Sequence, residues 1–490
     1  MRFDPQNNLI SSKGTLREVL EVLNASPIGI VFLVDELQRV NGIMTDGDVR
    51  RAILAGADLH DPAQNYMVQN FIFGKTSNPP GENLKLLNDT IRHLPVLDEE
   101  GRLARFISFT DFCWLPVMEP TLLGNEMAYV QDCIKTNWIS SQGKYVGMFE
   151  ESFASYHNID YALTSSNGTT ALHLALTALG IKTGDEVIVP DLTFAASANA
   201  VVHCGATPVF VDIDPHCWNI DPTKIDAAIT ARTKAIMPVH LYGHPCDMEP
   251  ILEIARRYGL YVVEDCAEAL GARYNGRLVG TLGDLGCFSF FSNKVITTGE
   301  GGMVITRTPE LKEKILILRD HGMSRQRRYW HEMVGFNYRM TNLQAAIGLA
   351  QLEQIDMFLS KRKSLARAYS LKLKDLPGIT LPPALPWAET VCWLYSILID
   401  ERQVGISRDD LIMALKREGI ETRPFFYPLH LMPPFLGHNK DFPVSREVSG
   451  RGISFPSSYN LSTAEVERVA ANLTKIINHS KSPAMIGSCK

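Results

Sequence analysis

The sequence predicts an α/β chain with three parts: a repeated N-terminal unit, a central and mostly parallel sheet flanked by helices, and a small C-terminal α/β domain. Three observations predict this. Apolar runs alternate with helical patterns between Ala162 and Val304, the order that builds βαβ units. Two segments before residue 115 repeat each other at a constant offset. From about Leu376 the texture changes, with Pro382, Pro383 and Pro386 ahead of a further strand and helix. These signals divide the chain into residues 1–115, 116–375 and 376–480, with a disordered tail over 481–490.

Composition narrows the function. The chain has 490 residues, of which 45% are hydrophobic and 21% charged, as expected of a globular protein with a sizeable core. A net charge of -6 leaves no basic footprint for nucleic acid, so any phosphate site must be local. The nine cysteines are scattered, with no CxxC pair and no metal-ligand spacing. That pattern fits reduced thiols in a cytoplasm and predicts no metal. The first residues lack the apolar core of a signal peptide, and no apolar run is long enough to span a bilayer.

The repeat runs from Ile30 to Leu54 and again from His93 to Phe112. Each copy reads as strand, acidic turn, strand and a polar helix start. Asp35 and Asp98, Thr45 and Ser108, and Asp48 and Asp111 are all 63 apart, which implies two stacked units sharing a core. Thr45 and Ser108 are natural helix caps. Gly42 and Gly47 suggest room beside Thr45 and Asp48, whereas the second copy has Arg105 at the position of Gly42. A proline-containing join, Trp114 to Glu126, follows, and then a helix over Glu126 to Lys135.

Ser165 to Ile181 reads as a tight turn at Gly168 opening a strong helix. A Gly-Thr turn at a helix N-terminus offers free amides and a hydroxyl to a phosphate, or is simply a cap. Strands follow at Asp185–Pro190, Thr207–Val211, Ala235–Val239 and Leu260–Val263. The last of these ends in Glu264 and Asp265. A further strand, Cys287–Phe291, is followed by Lys294 among glycines. An acid at one strand end and a lysine beyond a later one is what pyridoxal phosphate needs. The lysine condenses with the aldehyde, and the acid keeps the pyridine nitrogen protonated. The same residues also fit a buried strand with a satisfied acid and a surface lysine. Helices are predicted at Met340–Ile355, Lys361–Lys374 and Arg408–Glu418, and a strand at Leu394–Ile399.

Two resemblances follow from these motifs. The N-terminal repeat resembles a tandem CBS module. That implies contacts from Thr45 with Asp48, and Ser108 with Asp111, to the phosphate and ribose of an adenine nucleotide. Beyond Pro116, WISSQGKYV, SNGTTALHLAL, PDLTFAASANAV, VVEDCAEALG, FSFFSNK, TTGEGGMV and GFNYRMTNLQAA stand in order. Together they resemble the DegT/DnrJ/StrS nucleotide-sugar aminotransferases, of fold type I. The resemblance implies pyridoxal 5′-phosphate joined to Lys294, with Asp265 on the pyridine nitrogen and Glu268 against the 3-hydroxyl. It further implies Gly168, Thr169 and Ser289 at the phosphate and Phe194 stacked on the ring. Asn337 would reach the cofactor phosphate of a neighbouring subunit, which makes the enzyme at least a homodimer.

The implied reaction passes an amino group from L-glutamate to a nucleotide-linked 4-keto-6-deoxyhexose. The resemblance carried by WHEMVGFNYRMTNLQAA and RPFFYPLH is to members acting on a GDP-linked sugar, and implies GDP-4-keto-6-deoxy-D-mannose. A UDP- or dTDP-linked ketosugar, or a non-catalytic nucleotide sensor, are the alternatives. Arg325, Arg327, Arg328 and His331 form a basic loop, which either clamps a pyrophosphate or is a solvated charge run. His430 is expected near the hexose.

Overall fold

A computed structural model gives the fold and describes residues 8–26, 29–78, 82–83, 86–87, 91, 93–108, 114–437 and 441–480. The expected tail, 481–490, lies outside them. The chain divides into two compact units, Met1–Trp114 and Leu115–Lys490.

In the first unit, β1 (Leu9–Ser11), β2 (Ile30–Val34) and β3 (Val40–Thr45) form one sheet. A second sheet contains β4 (Gly74–Lys75), β5 (His93–Leu97) and β6 (Leu103–Ser108). In each, the first strand runs parallel to the second and the third antiparallel. The repeat survives in detail. Ile30 pairs with Thr45 as His93 pairs with Ser108, and the hairpins slip register at equivalent places, Leu33/Val34 and Val96/Leu97. Asp35 accepts the Leu37 and Arg39 amides, both at 2.9 Å. Asp98 accepts those of Glu100 and Arg102 at 3.0 and 2.8 Å. This local bonding is why an acid stands at each tip. The two tips join where the Val40 amide donates to the Gly101 carbonyl.

The second unit is built on seven strands in the spatial order β7 (Tyr161–Ser165), β15 (Gly302–Thr306), β14 (Leu285–Ser289), β11 (Tyr261–Asp265), β10 (Thr233–Ile236), β8 (Glu186–Pro190) and β9 (Thr207–Val211). Within this sheet β15 alone runs antiparallel to its neighbours. Both faces are covered, so β8 and β15 are buried at every residue and are mostly apolar without alternation. Helix Gly168–Ala178 lies among these layers, with Ala171, Leu172, Leu174, Ala175 and Leu176 all buried. It is therefore apolar on most sides rather than striped.

A smaller antiparallel sheet has the order β16 (Ile379–Thr380), β18 (Tyr395–Ile399), β20 (Gly452–Phe455) and β19 (Arg423–Pro424). A third is β13 (Arg277–Leu278), β12 (Arg273–Tyr274) and β17 (Ala388–Glu389). The join after Trp114 is woven into the small sheet's surroundings. The Leu115 amide donates to Gly419 O, the Glu421 amide donates to Leu115 O, and the Val117 amide donates to the Glu421 carboxylate at 3.0 Å.

The long helices differ from the sequence reading. The first is Asn342–Leu352 and the second Ile355–Leu373. Thr341 and Gln344 form a capping box that starts the first. The second begins six residues earlier than expected, because Ile355 and Phe358 are buried and extend its apolar face. Among the described residues no helix is long and apolar enough to cross a membrane.

Candidate active site

A cavity of about 650 Å³ opens at the carboxyl ends of β11 and β14 and the amino end of helix Gly168–Ala178. This is where open α/β sheets place ligands. Asp265, Glu268, Ser289 and Lys294 line it, together with Phe194 and, from the smaller sheet, Trp393, Arg423 and Phe426.

Lys294 is set in the loop beyond β14, its amide bonded to Phe291 O. Its Nζ stands 3.9 Å from the centre of the Trp393 ring and 3.5 Å from Glu268 Oε1. Burial holds its pKa below the usual lysine value, against the opposing pull of Glu268 and Asp265. A lysine so placed is a competent nucleophile. The indole is held in turn, because Trp393 Nε1 donates to Asn293 O at 2.6 Å.

Asp265 ends β11 and is buried. One carboxylate oxygen accepts the Ser197 hydroxyl at 2.8 Å, and the other accepts the Ala267 amide at 3.1 Å. Burial raises its pKa, more than these bonds lower it. A protonated ring nitrogen beside it would supply the positive charge that the buried anion lacks. Glu268 is pushed up to about 7, first by burial, with Lys294 and the Tyr242 amide pulling the other way. Its neighbour Glu264 is fully buried and has a different role. It accepts the amides of Gly280, Leu282 and Gly283 at 2.7 Å each and faces His240 Nε2 at 3.1 Å. The Cys246 amide donates to His240 Nδ1, so the imidazole carries its proton on Nε2. This cluster, with Cys266 beside it, is a hydrogen-bonded floor beneath the site.

The helix start fits a phosphate. Asn167 caps it, accepting the Thr170 amide at 2.9 Å, and Thr170 Oγ1 in turn accepts the Asn167 amide. The Gly168 and Thr169 amides head the helix, where anions bind. A Cβ on Gly168 would stand 2.7 Å from Ser289 Cβ. Glycine is therefore what lets the turn close onto Ser289. This cradle, the anion at Asp265 and the depressed lysine fit pyridoxal phosphate.

Phe194 is 60% exposed and lies against Phe426, centroids 5.6 Å apart. Its ring is open to the cavity and free to stack. Asn337 is exposed and is not among the residues lining the cavity of its own chain. The basic loop also stays outside it. Arg325 pairs with Glu313, Arg327 lies on Trp330, Arg328 on Tyr329, and His331 bonds His321 O.

His430 is also outside the cavity of its own chain. It is buried against Asp191, Nδ1 to Oδ2 2.7 Å, and does not line the cavity. It pins the chain after Phe426 to the end of β8 instead.

In the first unit, Asp48 Oδ2 accepts both the amide and the hydroxyl of Thr45, at 2.8 and 2.6 Å, and Oδ1 accepts from Arg51. The capping reading holds. The expected room beside Gly42 is taken by Met67, whose Sδ would be 2.7 Å from a Cβ there. Asp111 and the side chain of Ser108 lie outside the described residues.

Sequence reasoning missed Ser197, Tyr242, Trp393 and Arg423. Ser197 stands near the start of helix Ala196–His203, just past Phe194, and its small polar side chain carried no signal of its own. Trp393 had none, because it reaches Lys294 from 99 residues away.

Comparison with known proteins agrees with this geometry. A model of the DegT/DnrJ/EryC1/StrS aminotransferase family matches residues 120–474, and a CBS domain model matches residues 63–115. GDP-perosamine synthase of Caulobacter vibrioides is 50% identical over 370 residues, 75% of this chain and 100% of that protein. The Escherichia coli O157:H7 enzyme of the same name is 47% identical over 362 residues, 74% and 98% of the two chains. Among solved structures, DesV of S. venezuelae is 36% identical, with a TM-score of 0.68, covering 73% of this chain and 95% of that one.

Proposed function

The chain belongs to the DegT/DnrJ/EryC1/StrS aminotransferase family, and from that premise we propose that it moves the amino group of L-glutamate onto GDP-4-keto-6-deoxy-D-mannose. The protein is a pyridoxal phosphate-dependent nucleotide-sugar aminotransferase that carries a CBS domain. Likeness to two GDP-perosamine synthases over three quarters of the chain is what supports the GDP-linked sugar. The reading places the enzyme in the cytoplasm, supplying a surface polysaccharide or glycoconjugate.

Pyridoxal phosphate supplies an aldehyde that takes and returns an amino group, and a ring that draws electrons from the bonds beside it. The protein's own groups do the rest. Asp265, oriented by Ser197, holds the proton on the ring nitrogen. Gly168, Thr169 and Ser289 bind the phosphate. Lys294 Nζ moves a proton to and from the substrate carbon that bears nitrogen, and burial, which holds its pKa below the usual lysine value, favours the neutral amine that a base requires. Glu268 Oε1, facing Nζ, steadies the lysine whenever it is charged.

Asn337 is given the neighbouring subunit's cofactor phosphate, and its exposure outside its own cavity supports a homodimer with shared sites. An adenine nucleotide is assigned to the CBS unit at Thr45 and Asp48. Binding there requires the Arg51 contact to Asp48 to open.

The deciding experiment is turnover with glutamate across GDP-, UDP- and dTDP-linked 4-keto-6-deoxyhexoses. A clear preference for GDP is expected, and a preference for UDP or dTDP rejects the sugar assignment.

A further inference from the structure

A lysine that carries a proton needs a seat while it is charged. Burial disfavours the charged form of Lys294, and Glu268 and Asp265 favour it. Both carboxyls can themselves bind a proton, and Glu268 does so at about 7. The face of Trp393 cannot. Nζ stands 3.9 Å from the centre of that ring, well inside the range over which an aromatic face attracts a cation. Arg423, Glu300, His173 and His203 also line the cavity, but none of them is among the groups that act on Nζ.

The indole is built into place from every side. Nε1 donates to the carbonyl of Asn293 at 2.6 Å, which ties the ring to the residue just before the lysine. The Trp393 amide donates to Tyr242 O at 3.1 Å, and the Trp393 carbonyl accepts from the buried Arg362 at 3.0 Å. The Tyr242 ring lies nearly parallel to the indole, with centroids 6.3 Å apart and planes at 11°. The Tyr242 amide also holds Glu268 Oε2, at 2.9 Å. Tyr242 itself has a φ of +51°, a conformation that a bulky residue keeps only where its surroundings fix it. One strained residue therefore sets both the carboxyl and the indole that face Nζ.

We propose that the Trp393 face is the seat of the Lys294 ammonium whenever the lysine is free of the cofactor, which makes Trp393 a positioning residue for the proton transfer in a role that rests on the aminotransfer reading above. An indole face suits this task for two reasons. It attracts the ammonium without competing for its proton, as a carboxylate does. It also keeps that attraction below about pH 7, where Glu268 takes up a proton and loses its charge.

The test begins with the cofactor-free enzyme. Only the neutral amine reacts with acetic anhydride, so the pH dependence of Lys294 acetylation, read by peptide mass spectrometry, gives its pKa. Trp393→Leu removes the ring, and the pKa should fall by about half a unit to one and a half units, the worth of one partly desolvated cation–π contact. Trp393→Phe keeps a face but, like the leucine variant, loses the bond to Asn293, and it should restore most of the fall. If the leucine variant does not fold, Trp393→Met takes its place. In single-turnover work with the loaded enzyme, the leucine variant should slow the glutamate and ketosugar half-reactions alike, and phenylalanine should recover both. An unchanged or raised pKa in the ring-less variant overturns the proposal. So does an equal fall in the leucine and phenylalanine variants, which would assign the effect to the Asn293 bond. Slowing of one half-reaction alone would make Trp393 a contact for one substrate and overturns it too. Failure of the wild type to aminate any ketosugar nucleotide would overturn the aminotransfer reading instead, and leaves the lysine titration to be scored by itself.

Discussion

Glu268 offers a quantitative test of the site's electrostatics. Its carboxyl is raised from 4.5 to about 7, chiefly by burial. A carboxyl with a raised pKa binds its proton more tightly in the folded chain than in the unfolded one. Its contribution to stability is therefore complete below pH 4.5 and is lost as the pH rises through 7. The interval between 4.5 and about 7, at ~1.4 kcal/mol per unit, amounts to roughly 3 kcal/mol. Glu268→Gln removes the titration and keeps an acceptor for the Tyr242 amide, which bonds Oε2 at 2.9 Å. We would measure urea unfolding of the cofactor-free proteins by tryptophan fluorescence from pH 4.5 to 8. The wild type should lose roughly 3 kcal/mol relative to the variant across that range. A stability difference that stays flat with pH would refute the claim that burial dominates at Glu268.

Other outcomes follow from the same geometry. Lys294→Ala should abolish amino transfer and the visible absorption of the enzyme-bound cofactor; retained turnover would sink the assignment of the lysine. Gly168→Ala places a Cβ 2.7 Å from Ser289 Cβ, and overpacking of this kind costs about 1–3 kcal/mol. Pyridoxal phosphate affinity, read by absorbance titration, should fall about 10-fold or more, and unchanged affinity would mean that the turn is no phosphate cradle. In the CBS unit, calorimetry with AMP, ADP and ATP should show a nucleotide that binds the wild type and not Asp48→Ala. No binding to the wild type, or equal binding to both, would leave the unit without a ligand at this half-site.

The legible part of the site is the part whose residues are close in sequence to a strand end or a helix start. Asp265 and Gly168 each stand at such a terminus, and Lys294 five residues past one, so strand patterning and turn chemistry pointed to them, whereas Ser289 at the end of β14 came from the family resemblance. Trp393 and Arg423 were not legible, because they arrive from the smaller sheet across gaps that no local pattern records. Glu264 was visible as an acid beside Asp265, but its opposite side of the strand and its three amide donors were not. His430 is ambiguous for a physical reason: a histidine in an aromatic segment reads alike whether it faces a sugar or a buried aspartate. Thr45 and Asp48 show the same ambiguity, since a capping box and a ribose contact ask for the same residue types. Room beside Gly42 was inferred from the missing side chain, and a neighbour that fills the gap, here Met67, leaves no mark in the local sequence.

The weave at Leu115 has a mechanical consequence. The peptide leaving the CBS unit becomes, within three residues, a hydrogen-bonded neighbour of Gly419 and Glu421, two residues short of Arg423. It is thus stitched, through Glu421, to the segment that carries Arg423. A residue inserted between Leu115 and Val117 would shift the register of the stitch and move the Val117 amide off Glu421. Engineering of this junction should keep the register of residues 115–117 against Gly419 and Glu421.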